Sequence, residues 1–272
     1  MSSTPSLSPL AKIEQKTLID LISQGKRIDE RSPSDYREIK IEAAILDKAD
    51  GSAQVHLGKT RILVGVKVDV GEPFLDTPDS GVLTVNAELV PLASPTFEAG
   101  PPDENAIELA RIVDRGIRES GVVDVKKLCI IPGKKVYVIF IDMFILDHDG
   151  NLIDAAAMAA LTALLTTKIR KYKLEDETVT FTDKYEPLPI QNFPATITTV
   201  KIGSSLIIDP SIEEENVAET RLTVAVDKND NICAMQKGGL GTWAVEEVQT
   251  AVTNAIAKSA EIRKKVQEAA KK

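Results

Sequence analysis

Near the start of the chain apolar residues recur at helical spacing, with Leu10, Ile13, Leu18, Leu21 and Ile22 on one face. Ser8 is placed to cap this helix, Pro9 suits its first turn and Gly25 ends it. From Ile39 the period drops to two. β-rich runs at 39–46, 53–57 and 61–70, separated by Asp50-Gly51 and Gly58-Lys59, predict an antiparallel meander. The proline-rich stretch 72–102 is interrupted by an apolar run at 82–92, which predicts one strand between two long loops. A helix follows over 103–120, with Asp103 as its cap and Gly121 as its stop. Strands at 128–131 and 135–147 flank a Pro132-Gly133 turn. Asp149-Gly150 then leads into a helix over about 153–171. Its first half is nearly all Ala, Met and Leu, so it packs closely on both sides at the centre of a core.

Residues 173–192 are polar, contain Pro187 and Pro189, and mark a linker. Beyond it strands are predicted at 196–202, 206–209, 222–226 and 232–236, then a long helix from Thr242. Val245, Val248, Val252, Ile256, Ile262 and Val266 form that helix's apolar stripe, and its lysine-rich end complements the negative pole of the helix dipole. The order predicts an α+β protein of two related modules: an extension at 1–27, a first domain at 28–172, the linker, and a second domain at 193–272.

Composition narrows the classes. With 272 residues, 43% hydrophobic and 27% charged, the chain has enough apolar surface for a core without staples, and is neither disordered, collagenous nor a disulfide scaffold. Cys129 and Cys233 each sit in an apolar run and read as buried small hydrophobes in a reducing compartment. Two cysteines and two histidines cannot assemble the usual Cys/His zinc site, and neither a metal nor a cofactor is expected in this chain. The net charge of −8 argues against coating nucleic acid over the whole surface, but leaves room for a local basic patch. No signal peptide is visible, and the apolar runs at 136–146 and 155–165 are far short of the ~20 residues that span a bilayer. A cytoplasmic protein without a membrane partner is expected.

Among candidate chemistry, Arg111, Arg115 and Arg118 are spaced i, i+4, i+7 on the 103–120 helix. They form a basic stripe about 10 Å long that could grip phosphates of a single strand. Periodicity alone favours an ordinary solvated face, with Glu108 and Asp114 at pairing distance from Arg111 and Arg118. Asp142, Asp147, Asp149 and Asp154 cluster along the chain, but Leu152 stands where a calcium loop needs glycine. A turn, with Asp154 or Asn151 capping the next helix, is the simpler account. The glycines from Gly239 fit a loose dinucleotide pattern, yet no strand follows to complete a βαβ unit. His56 and His148 have no nucleophile motif beside them.

Four motifs in order carry a more specific signal. Gly-Lys-Arg-Ile-Asp-Glu-Arg from Gly25, Gly-Ser-Ala-Gln-Val-His-Leu-Gly-Lys-Thr from Gly51, Pro-Gly-Lys from Pro132, and Asp-Gly-Asn-Leu-Ile-Asp-Ala-Ala from Asp149 resemble the ribonuclease PH family. The resemblance runs from about Lys12 to the end. It is closest to the non-catalytic ribonuclease PH-like subunit of the archaeal exosome ring. It implies a first domain like ribosomal protein S5 domain 2 and a smaller second domain. It also implies an alternating six-membered ring with a catalytic ribonuclease PH-like partner, capped by S1/KH-type RNA-binding proteins. Such a ring degrades single-stranded RNA from the 3′ end, with inorganic phosphate as the substrate of the assembled complex.

Departures from the active pattern point to the inactive partner. Active members hold the attacking phosphate with backbone donors and an arginine after the long strand; here Ile153 takes the arginine's place and Asp154 follows. Arg221 replaces the family's catalytic aspartate, and Glu215 stands for an upstream aspartate. The resemblance implies RNA contact by Arg111, Arg115 and Arg118. The rival reading is a self-sufficient phosphorolytic exoribonuclease, against which Ile153 and Arg221 speak. An unrelated small-molecule enzyme on the same fold would need a phosphate loop or an acid/base pair that the sequence lacks.

Overall fold

The computed structural model describes residues 9–175 and 178–271. β1 (Ile39–Ala43), β2 (Gly51–Leu57) and β3 (Thr60–Gly71) form the expected antiparallel meander. β4 (Val82–Leu89), β5 (Cys129–Ile131) and β6 (Lys135–Asp147) complete a six-stranded sheet of order β1-β2-β3-β6-β4, with β5 paired to β6 and only β4 parallel to its neighbour. The alternation along β6 turns Ile139, Ile141, Met143 and Ile145 into the core. β1 stops earlier than expected because Ala44 takes a left-handed backbone, φ 55°, that turns the chain away.

The second sheet is antiparallel throughout, with β9 (Ala195–Ile202), β10 (Ser205–Ile208), β11 (Thr220–Val226) and β12 (Ile232–Gly239) in the order β10-β9-β11-β12. Helices α2 (Glu104–Glu119), α3 (Leu152–Thr166) and α5 (Val245–Ala270) lie between the sheets. α3 is central as predicted: it packs on β2 and β3, and also on α2, β9 and α5. Its alanines at 155, 156, 159, 160 and 163 are fully buried, which permits close approach on several sides. One continuous core therefore runs through both modules.

α3 ends at Thr166 rather than near residue 171. Thr167 takes an extended backbone, φ −68° and ψ 135°, and the polar segment after it is a hairpin of β7 (Lys168–Glu175) and β8 (Thr178–Pro187). Its apolar positions are few but cooperative: Ile169 is buried, and Tyr172 and Phe181 meet at 6.5 Å beside Tyr137. α1 (Pro9–Ser23) is present, while the Ser8 cap and the side chains of Leu10 and Ile13 lie outside the described residues. Leu18 and Ile22 pack with Val200, Ile202 and Ile207 in a second, smaller core. A short helix not anticipated, α4 (Ile212–Val217), is set by a reciprocal capping box between Ser211 and Glu214. Cys129 and Cys233 are half-buried rather than buried, one beginning a short strand and the other on the edge strand β12.

Candidate nucleic-acid interface and the polar junction beside it

α2 is amphipathic because Leu109, Ile112, Val113 and Ile117 face the core at helical spacing. Asp103 caps it by accepting from the Ala106 N–H at 2.8 Å. Arg111, Arg115 and Arg118 are all exposed on the opposite side. Arg118 pairs with Asp114 at 2.7 Å and donates to the Leu83 carbonyl at 3.1 Å, so its guanidinium is engaged. Arg111 and Arg115 have no ion pair or hydrogen bond among the described residues. Both line an open groove of about 460 Å³, whose other wall is Gln236 and Lys237 on the edge strand β12. The structure thus joins Arg111 and Arg115 to a lysine that sequence reasoning missed. Only the placement of β12 beside α2 reveals it; the lysine's own neighbours read as an ordinary strand end. The expected Glu108–Arg111 pair does not form. Glu108 instead meets Arg221 at 2.6 Å.

The other site positions lie at the junction of the modules, around the start of α3. Gly150, at φ 85°, is required there: a Cβ would lie 2.5 Å from the Ser211 carbonyl carbon and 2.6 Å from the Pro210 oxygen. Ile153 turns into the core at 8% exposure. Asn151 is the cap residue in a left-handed conformation, but its side chain makes no cap. It donates instead to Asp154 at 2.9 Å and Asp209 at 2.8 Å, while its backbone N–H donates to the Glu215 carboxylate at 2.8 Å. Helix N-termini commonly receive anions such as phosphate. Here the protein's own carboxylates occupy that position.

Their environments differ. Burial pushes Asp154 up to about 6, although Asn151, Thr198 and Tyr36 all donate to it. Burial likewise pushes Glu215 up to about 7, against the Asn151 N–H and the charges of Arg221 and Arg37. At Asp209 burial is outweighed by Arg37, which donates to both carboxylate oxygens at 2.8 and 3.0 Å and holds the group below the usual carboxylate range. Arg31 adds a contact to Asp209 at 2.9 Å, and Arg27 is paired with buried Glu214. The nearby cations are therefore already committed to carboxylates. Arg221 pairs with Glu108 on α2, and its charge also acts on Glu215, which closes the α3 terminus.

The sequence profile of the 3′ exoribonuclease family, domain 1, matches residues 35–170, and that of domain 2 matches residues 192–258. The chain belongs to this family. The fold agrees with the two-domain ribonuclease PH architecture expected from the motifs. The chain is 55% identical over 262 residues to the exosome complex component Rrp42 of Thermococcus gammatolerans, covering 96% of each protein. It is 54% identical over 265 residues to the Rrp42 of Pyrococcus horikoshii, covering 97% of each. Among solved structures, it is similar to a chain of the Archaeoglobus fulgidus exosome with RNA bound to the active site, with TM-score 0.87, 44% identity, and coverage of 95% of this chain and 99% of that one. A chain of an archaeal exosome core follows at TM-score 0.84 and 41% identity, over 95% and 98%. Among the described residues no helix is long and apolar enough to cross a membrane.

Proposed function

We propose that this chain is a non-catalytic subunit of an exosome, a phosphate-dependent ring that degrades RNA from the 3′ end. Relatives of more than half identity are named as components of that complex. The observation that carries the non-catalytic part is the start of α3, where Glu215 takes the Asn151 N–H and Asp154 and Asp209 stand beside it. A phosphate brought there would meet three carboxylates and no uncommitted arginine. The chain's part in the reaction is to hold RNA along the α2 groove with Arg111 and Arg115, and to complete the active site of a ribonuclease PH-like partner. Arg118, tied to Asp114, contributes less. S1/KH-type caps and the alternating six-membered arrangement belong to this same reading.

The test is nucleoside diphosphate release from RNA and phosphate. The purified chain alone should release none, and the assembled ring should release it. Replacing Arg111 and Arg115 by Glu should weaken RNA binding while the ring still forms, and should flatten the salt dependence by somewhat less than one unit per lost phosphate contact. Phosphate-dependent turnover by the isolated chain would show it to be a self-sufficient exoribonuclease. Unchanged RNA affinity at low salt would return the arginines to a solvated face.

A further inference from the structure

We propose that Arg221 is a positioning residue for RNA: it holds Glu108 away from Arg111 and so keeps the α2 groove cationic. The inference rests on reading that groove as an RNA face. Glu108 lies three residues before Arg111 on α2, the spacing at which a glutamate and an arginine pair along a helix, and both line the groove. Left to itself, Glu108 would occupy the guanidinium that a phosphate needs. In the structure its Oε2 is 2.6 Å from Arg221 Nη2, and Arg111 stays unpaired among the described residues.

The path of Arg221 is built for this contact. Arg221 sits on β11, and its partner across the ladder is Gly238 on the edge strand β12. A Cβ at Gly238 would lie 2.8 Å from both Cζ and Nε of Arg221. The guanidinium therefore crosses the edge strand directly over Gly238, where an added Cβ would make it shift. Gly238 has no left-handed backbone that would otherwise require glycine. The pair remains partly open to water, 32% and 46% exposed, so the effect on affinity is modest.

The test uses the assembled complex and a 5′-fluorescein-labelled 15-nucleotide oligoadenylate, read by anisotropy at low salt and by phosphorolysis. Arg221→Ala should weaken binding and raise KM by about two- to fivefold with kcat unchanged, the size of an exposed ion pair. Arg221→Lys, which keeps the charge, should recover affinity. Combining Arg221→Ala with Glu108→Gln should restore the affinity of Glu108→Gln alone, since residue 108 then carries no carboxylate to capture Arg111. A double variant as weak as Arg221→Ala would overturn the proposal, because Arg221 would then act on RNA directly or through the fold. So would unchanged affinity for Arg221→Ala while Arg111→Glu with Arg115→Glu abolishes binding; the RNA face would survive that result. If the latter pair of changes, or the wild type itself, shows no RNA binding to lose, the RNA-face reading fails and takes this inference with it.

Discussion

Glu215→Gln should stabilise the protein above neutrality. The Glu215 carboxyl closes the N-terminus of α3 through the Asn151 N–H, yet burial raises it to about 7. A free glutamate titrates near 4.3, so the gap of nearly three units corresponds to roughly 3–4 kcal/mol at about 1.36 kcal/mol per unit. Glu215 keeps some exposure to water, and screening reduces the expected penalty to about 1–2 kcal/mol. The sign follows from linkage. The folded state holds this proton longer than the unfolded chain, so the associated stability is complete below about pH 4 and is lost as pH rises through about 7. Glutamine is neutral at every pH and its amide oxygen can still accept from Asn151. Relative to wild type, the variant should gain about 3–6 °C in melting temperature at pH 8, at roughly 2–4 °C per kcal/mol for a chain of this size, and almost nothing at pH 4. Calorimetry of both proteins across that range is the assay. An equal difference at pH 4 and pH 8, or a variant less stable at pH 8, would refute the reasoning.

Two further outcomes follow from buried contacts. Asp154→Ala leaves the Tyr36 hydroxyl and the Thr198 N–H without their acceptor, and should cost about 3–5 kcal/mol in urea unfolding at pH 7; a loss under about 1 kcal/mol would show that the junction repacks around water. Gly51→Ala places a Cβ 2.5 Å from the Ala163 carbonyl oxygen and 2.8 Å from Thr167 Cα, so the end of α3 must shift; the expected cost is about 1–3 kcal/mol, and an unchanged urea midpoint would show that this end yields freely.

What was legible in the sequence was whatever depended on near neighbours. The period of β6, the alanine-rich centrality of α3, the Asp103 cap and the Asp114–Arg118 pair are all set within a few residues. The ribonuclease PH motifs added the order of the modules. The 168–187 hairpin is hidden in the sequence because the basic run at 168–171 reads as a continuation of α3 and the polar, proline-containing stretch at 173–192 reads as a linker; only Thr167 and the Tyr137–Tyr172–Phe181 cluster decide it. α4 was available from Ser211-x-x-Glu214, a spacing that went unread. At the site, the exposed arginines of α2 were visible from periodicity. The contacts of Glu215 with Asn151, 64 residues apart, and of Arg221 with Glu108 are tertiary, and nothing local encodes them.

The docking of α1 carries a cost in time during synthesis. Leu18 and Ile22 complete their small core only with Val200, Ile202 and Ile207, and Arg27 waits for Glu214, 187 residues later. At about 5–20 residues per second, the ribosome leaves these groups without these distant partners for roughly 10–40 s. For that interval the emerging chain presents apolar side chains and an unmatched guanidinium, and its first segment is among the last parts of the protein to reach its place.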